Sequence, residues 1–150
     1  MSDPEGLGRF DGKTHILPIR LYYEDTDLSG VVYHANYLRY MERGRTEFFR
    51  LVGISRMAAL DDAEPTAWTL RTASLEFFRP ARLEDRIEVR TTCPLLSGAR
   101  MQADQKIYSG DTLLVHGKVE ACIMTLGGKP RRIPDDIRAK LRPYLLETGA

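Results

Sequence analysis

Cysteine is scarce in this chain. Only Cys93 and Cys122 occur, far apart and in apolar surroundings, and the sequence has neither a C-x-x-C pair nor a cluster of histidines and cysteines. A zinc site with the usual ligand spacing is therefore excluded. The pattern favours two reduced thiols in the core of a cytoplasmic protein.

Strong net charge and long apolar runs are also absent. The formal charge is +1 at pH 7, which gives no overall attraction to nucleic acid or to a membrane surface. No apolar run approaches the ~20 residues that span a bilayer, and the N-terminus MSDPEGLGRFDGK lacks the apolar segment of a signal peptide. With 150 residues, of which 43% are hydrophobic, the chain fits one globular domain over residues 15–150, preceded by a flexible arm over residues 1–14.

Hydrophobic periodicity predicts one strand, one long helix and then four more strands. The segment HILPIRLYYE alternates in period two, which predicts a strand that ends at Glu24–Asp25, with Pro18 at an edge or with its missing N–H facing outward. Helical spacing runs from Tyr37 to Val52, and Gly53 follows as the terminating residue. The later segments with strand patterns are AWTLRTASLEFF, IEVRTTC, RMQADQKIY and LLVHGKVEACIMTL. The tail IPDDIRAKLRPYLLE predicts a short terminal helix.

The order of these elements predicts an α+β domain. Short turns between successive strands favour antiparallel pairing, and the only element long enough to cover the apolar face of the helix is the sheet. We therefore expect a curved five-stranded antiparallel sheet around one central helix. Gly44, on the buried stripe of that helix, indicates close approach of other backbone or is a neutral choice.

The stretch YEDTDLSGVVYHANY, Tyr23 to Tyr37, allows two interpretations. Asp25, Asp27 and Ser29 alternate as in a calcium loop, but such a loop needs a bidentate glutamate at about its twelfth position and flanking helices. The twelfth position here is Asn36, and a strand precedes Asp25. We therefore expect no bound metal.

In the second interpretation, a carboxylate lies before a helix N-terminus. The first turn of a helix has unpaired N–H groups and a positive dipole end, which stabilise an oxyanion. Asp27 would be nucleophile or general base, and His34 would orient the substrate or move a proton. The structural alternative, in which Asp27 forms an Asx-turn and His34 caps the helix, stays open on the residues alone.

The stretch closely resembles the signature of the hotdog-fold 4-hydroxybenzoyl-CoA thioesterase-like family, and within it the Tol-Pal-associated acyl-CoA thioesterases (YbgC-like). The pattern D-x-x-G-V-V-Y-H-A-N-Y occupies Asp27 to Tyr37 without a gap, and FFRPARLEDRIEV resembles a second block. This resemblance implies a hotdog fold, a catalytic aspartate at Asp27 and a helix-end N–H at His34 that faces the thioester carbonyl. It also implies no bound cofactor and side-by-side homodimers or homotetramers with active sites at the seam.

Three further residues are candidates for substrate binding. Tyr33 lines the acyl pocket or belongs to the core. Asn36 contacts substrate or, as the pattern favours, holds the turn as a helix cap. Arg100 meets the CoA phosphates or is an ordinary strand arginine.

The resemblance predicts hydrolysis of an acyl-CoA thioester or of an acyl-carrier-protein thioester. The alternative from another class is a non-hydrolytic acyl-CoA-binding or interaction module on the same fold. A hotdog hydratase is disfavoured because the sequence lacks the dyad setting of those enzymes.

Overall fold

The computed structural model describes residues 6–54, 58–59 and 63–146, with only the backbone of residues 58–59. Within these residues, eight strands form one antiparallel sheet in the order β1-β2-β5-β6-β7-β4-β3, and β8 pairs with β7. The strands are β1 (Arg9–Asp11), β2 (Thr14–Ile19), β3 (Ala58–Ala59), β4 (Thr66–Phe77), β5 (Ile87–Leu96), β6 (Arg100–Ser109), β7 (Thr112–Thr125) and β8 (Pro130–Arg131). The helices are α1 (Asn36–Leu51) and α2 (Asp135–Leu141).

The five long strands and the central helix are those that the periodicity predicts. Alternate residues of β5 and β6 are buried, because one face of the sheet packs on α1. The short strands β1, β3 and β8 carry too few residues for a period-two pattern. Residues 1–5 of the predicted arm lie outside the described residues, whereas Arg9–Asp11 of the same segment pair with β2.

The first long strand is shorter than predicted. β2 ends at Ile19 instead of Glu24–Asp25, and a single 3-10 turn occupies Tyr23–Asp25. The turn forms because the Asp25 carboxylate accepts a hydrogen bond from the Tyr22 N–H (2.8 Å). Tyr23 is consequently 82% exposed, not buried on the strand face.

The helix α1 packs closely on the sheet at Gly44. A Cβ at this position would lie 2.8 Å from Val89 Cγ1 and 3.0 Å from Gln105 Nε2. The glycine therefore sets the distance between α1 and strands β5 and β6. The nearest atoms belong to side chains of these strands and not to backbone, which was the expected neighbour. Phe49 is buried while Leu51 is exposed, because the helical period turns Phe49 toward Trp68 on β4.

Among the described residues, no helix is long and apolar enough to cross a membrane.

Candidate active site

A tight hairpin joins the 3-10 turn to α1. The Tyr33 N–H donates to the Asp25 carbonyl (2.9 Å), and the Asp27 N–H donates to the Val31 carbonyl (2.8 Å). At the tip, the Gly30 N–H donates to the Asp27 carbonyl (3.1 Å), and Gly30 has a φ of +80°, which glycine adopts without steric cost. This glycine lets the chain reverse immediately after Asp27, so that the hairpin leads directly to the helix.

Asp27 lies exposed at the tip of the hairpin. Its Oδ1 accepts hydrogen bonds from the Ser29 hydroxyl (2.5 Å) and from the Ser29 N–H (2.8 Å). Both bonds lower the pKa of Asp27 from its ordinary value of 3.8, and the bond from the hydroxyl has the larger effect. The backbone N–H groups of Val31 and of Asp27 itself contribute smaller decreases to the same pKa. Asp27 is thus both an Asx-turn residue and an exposed carboxylate that the lowered pKa keeps ionised.

The start of α1 presents unpaired donors close to the base of this hairpin. The Asn36 N–H donates to the Tyr33 carbonyl (2.9 Å), and the Tyr37 N–H donates weakly to the His34 carbonyl (3.4 Å). The preceding N–H groups, of His34 and Ala35, make no hydrogen bond within the described residues. Ala35 is the N-cap and offers no side-chain cap. Two backbone donors at the positive end of a helix dipole can therefore stabilise an oxyanion.

His34 and Tyr33 flank these donors. Both side chains are exposed, Tyr33 to 47%, and their rings lie 4.5 Å apart between centroids. Within the described residues, no hydrogen bond joins His34 to Asp27. The two predicted catalytic residues thus lie on the same hairpin and helix start, without a hydrogen bond between them in the described residues.

Asn36 connects the helix to the hairpin. It is 7% exposed, and its Nδ2 donates to the Asp25 carbonyl (2.9 Å). Asn36 is the first residue of α1, one position after the N-cap. Because the amide donor of Asn36 is bound to backbone, this residue holds the helix start in position. A contact between Asn36 and substrate stays a prediction.

Arg100 lies far from this site within the same chain. It opens β6 opposite Cys122 on β7, whereas the helix start packs near Phe77, which is opposite Val115 on β7. Seven residues of a strand separate these two positions along β7, which is roughly 23 Å. One chain therefore does not bring Arg100 and Asp27 together.

The guanidinium of Arg100 already has a partner. It contacts Glu120 (3.7 Å), which also binds Arg71 (2.8 Å). The hydrogen bond from Arg71 is the largest cause of the lowered pKa of Glu120. The predicted contact of Arg100 with CoA phosphates remains a prediction.

The segment around Ala81 supports the site, although the sequence pattern predicts no functional role for Ala81. The Ala81 N–H donates to the hydroxyl of Tyr37 (3.0 Å), and the Val32 N–H donates to the Ala81 carbonyl (2.8 Å). This segment lies within FFRPARLEDRIEV, the second block of the resemblance. It fixes the outgoing arm of the hairpin to the first turn of α1.

The described residues contain no group of three or more histidine, cysteine, aspartate or glutamate side chains that could hold a metal ion. The alternating Asp25, Asp27 and Ser29 do not form such a group. Ser29 instead binds Asp27, and the Asp25 carboxylate binds the Tyr22 N–H.

A family model for the thioesterase-like superfamily matches residues 22–141. The chain belongs to this superfamily. It is 39% identical over 127 residues to the acyl-CoA thioester hydrolase YbgC of Escherichia coli, covering 83% of this chain and 93% of that protein. The acyl-CoA thioesterase YbgC of Haemophilus influenzae is 33% identical over 81% of this chain and 90% of its own length.

Solved structures agree with the sequence relatives. A probable thioesterase from Bartonella henselae superposes with a TM-score of 0.75 at 40% identity, covering 81% of this chain and 98% of that chain. The resemblance to hotdog-fold thioesterases that the signature predicts is therefore confirmed, and so is the α+β fold.

Proposed function

We propose that this protein hydrolyses acyl-CoA thioesters to a free acid and the CoA thiol. The observation that carries the proposal is the hairpin that carries the ionised Asp27 and leads directly into the N-terminus of α1, where two backbone N–H groups make no hydrogen bond within the described residues. The similarity to acyl-CoA thioester hydrolases over 83% of the chain supports the same reaction class.

The reaction follows from the charges of the site. The thioester carbonyl oxygen accepts hydrogen bonds from the His34 and Ala35 N–H groups, which stabilise its developing negative charge. Asp27 Oδ2 either attacks the carbonyl carbon, giving a mixed anhydride that water then hydrolyses, or removes a proton from the attacking water. In both routes the C–S bond breaks and the thiolate leaves, and His34 is the candidate proton donor to that sulfur.

A homodimer through β4 is part of this proposal. In the described part of the chain, β4 pairs with β3 only at Thr66 and Ala67, so its edge from Trp68 to Phe77 is uncovered. Uncovered edges of this length are generally paired in native proteins. Phe77 and Leu70, which are 54% and 44% exposed, would be covered by such pairing.

Antiparallel pairing of β4 with a second copy has a consequence for the site. Pairing centred on the middle of the uncovered stretch brings Phe77 of one copy opposite Trp68 of the other. Because the ring of Tyr37 lies 5.8 Å from that of Phe77, the helix start of one copy adjoins the start of β4 of the other. A homotetramer, a location in the cytoplasm, an association with the Tol-Pal system and acyl-carrier-protein thioesters as substrates are further proposals that the YbgC-like resemblance supports.

The test is thiol release from a panel of saturated acyl-CoA thioesters, from acetyl-CoA to palmitoyl-CoA, with one acyl-carrier-protein thioester included. We expect catalytic release from at least one acyl-CoA. Saturable binding of acyl-CoA without thiol release would favour the non-hydrolytic binding module instead.

A further inference from the structure

A groove of about 310 Å³ runs between α1 and the start of β4, away from the Asp27 hairpin. Phe49, Trp68, Leu70 and Met101 supply apolar walls, and Arg45 and Glu42 supply charge. The volume falls at the small end of the range of ligand pockets. A groove of this size suits one end of a ligand better than a whole CoA ester.

The guanidinium of Arg45 is held in a fixed place in this groove. Its Nη1 donates to Oε1 of Gln105 (2.9 Å). The amide of Gln105, which is fully buried, donates in turn to the Met41 carbonyl (2.8 Å) and to the Thr91 hydroxyl (3.0 Å). All of these partners lie on α1, β5 or β6, so the position of the guanidinium is fixed by the core of the protein.

Arg45 has a neutral partner but no carboxylate partner. Within the described residues, no carboxylate oxygen lies within 4.0 Å of its guanidinium, although Glu42 lines the same groove. Arg45 is partly buried, and this burial lowers the pKa of its guanidinium, while the charge of the nearby Glu42 carboxylate raises it by a smaller amount. A cation that is partly removed from water gains free energy when an anion binds to it. The planar fork of N–H donors matches a carboxylate in particular.

We propose that this groove binds the distal carboxylate of an acyl group, so that the preferred substrates are CoA monothioesters of dicarboxylic acids. The inference rests on the proposed thioesterase function, which supplies the acyl group. The donor fork of Arg45 can bind one carboxylate, and the aromatic and aliphatic walls suit a hydrocarbon chain. The nearby Glu42 carboxylate offsets part of the positive charge, so the groove suits no more than one negative charge. The phosphates of CoA carry more charge than this arrangement balances.

The inference also rests on the proposed dimer, in which the groove of one copy lies where an acyl chain bound at the helix start of the other copy would extend. Nine residues of helix separate Asn36 from Arg45, a distance of about 14 Å along α1. In the proposed dimer, Trp68 in the groove of one copy lies opposite Phe77 beside the helix start of the other. The acyl chain of a thioester bound at one helix start therefore reaches toward the Arg45 of the second copy.

The test uses the only tryptophan of the chain, Trp68, as a reporter of the groove. We expect monomethyl adipate, which carries one free carboxylate, to change Trp68 fluorescence saturably, while methyl hexanoate of the same chain length binds at least tenfold more weakly. Arg45→Gln should weaken binding of monomethyl adipate at least tenfold, as for a charge-assisted hydrogen bond. Arg45→Lys, which keeps the charge, should retain part of the affinity. Arg50→Gln is the matched control, since Arg50 is exposed on the same helix and pairs with Glu47 outside the groove.

A second arm compares adipoyl-CoA with hexanoyl-CoA as substrates. We expect Arg45→Gln to lower the ratio of their kcat/KM values at least tenfold, through loss of adipoyl-CoA turnover. Equal responses to the two esters, or an unchanged affinity in Arg45→Gln, would overturn the inference. A third outcome would also overturn the inference: the parent protein shows no fluorescence response to monomethyl adipate, and Arg45→Gln dissociates into monomers. Arg45 would then serve the subunit interface. If neither thioester is hydrolysed while the fluorescence still discriminates, the carboxylate site stands and the proposed function is wrong.

Discussion

The Nδ2 group of Asn36 donates a hydrogen bond of 2.9 Å to the main-chain oxygen of Asp25. This bond joins the first residue of α1 to the base of the hairpin that carries Asp27. The same Asp25 oxygen accepts the Tyr33 N–H (2.9 Å). One carbonyl therefore connects both arms of the hairpin and the helix start, which fixes the carboxylate relative to the backbone donors of His34 and Ala35.

The first prediction concerns Asn36→Ala. Loss of this buried hydrogen bond should lower the free energy of unfolding by about 1 kcal/mol, a decrease of roughly 2–4 °C in Tm for a chain of this length. We also expect kcat to fall about tenfold or more, because small misplacements of catalytic groups are costly. The matched control is Arg39→Ala on the exposed face of α1. A lower Tm with an unchanged kcat would mean that Asn36 only stabilises the fold.

The second prediction concerns the pH dependence set by Ser29. The hydrogen bond from the Ser29 hydroxyl is the largest cause of the lowered pKa of Asp27. A carboxylate whose pKa is lowered stays ionised as the pH falls toward that pKa, so activity should persist in mild acid. In Ser29→Ala the pKa of Asp27 should rise toward 3.8, its ordinary value, and the acidic limb of the kcat/KM profile should move to higher pH.

Carbon-13 NMR of the Asp27 carboxyl measures this pKa without relying on turnover. Ser29→Thr, which keeps the hydroxyl, is the matched control and should preserve the low value. If the carboxyl of Ser29→Ala titrates at the same pH as that of the parent protein, the Ser29 hydroxyl does not set the charge of Asp27.

The third prediction concerns Gly44→Ala. The added methyl group would meet Val89 Cγ1 at 2.8 Å, closer than real Cβ contacts come. Overpacking of a core costs about 1–3 kcal/mol, whereas the higher helix propensity of alanine returns at most about 1 kcal/mol. We expect a net loss of stability on the order of 1 kcal/mol, measured by urea denaturation. Gly98→Ala is the control, because nothing lies within 4 Å of a Cβ there. A variant as stable as the parent would show that β5 moves away at little cost.

The main elements of this fold could be predicted because their patterns are long. Strands of ten or more residues, such as β5 and β6, repeat the buried and exposed alternation often enough to be recognised. The end of β2 was not predictable in this way. Leu21 is buried as period two predicts, yet the bond from the Tyr22 N–H to the Asp25 carboxylate turns the chain before Tyr23.

The candidate site was predictable only in part. The spacing from Asp27 to His34 indicates a carboxylate near a helix start, and in the structure the hairpin that carries Asp27 leads directly into that helix start. The role of Ala81 depends on hydrogen bonds to residues that are distant in sequence, Tyr37 and Val32, and no local pattern encodes them. Arg45 was likewise missed, because a charged residue on a helix is ordinarily expected on the solvated face.

The fourth prediction concerns metal removal. The twelfth position of the acidic stretch is Asn36, whose amide binds backbone. Ser29 also donates to one Asp27 oxygen that a calcium ion would need. We therefore expect that incubation with EDTA followed by desalting leaves both thiol release and Tm unchanged. The control adds calcium or magnesium back to the treated protein. A clear loss that either ion restores would revive the calcium interpretation.

The last prediction concerns Asp27→Asn. Asparagine keeps the shape of the side chain and accepts the Ser29 hydrogen bonds through its amide oxygen, so the hairpin should persist and Tm should change little. The negative charge is lost, and kcat should fall at least ~10²-fold, with a much smaller change in substrate affinity, since the group acts mainly in the transition state. His34→Ala keeps the backbone N–H and should show a smaller defect. If Asp27 only supports the turn, Asp27→Asn should hydrolyse acyl-CoA within about threefold of the parent rate, whereas Asp27→Ala should lower stability. Thiol-release kinetics and thermal melts of the three variants distinguish the two roles, because only a catalytic carboxylate makes the asparagine variant slow and stable at once.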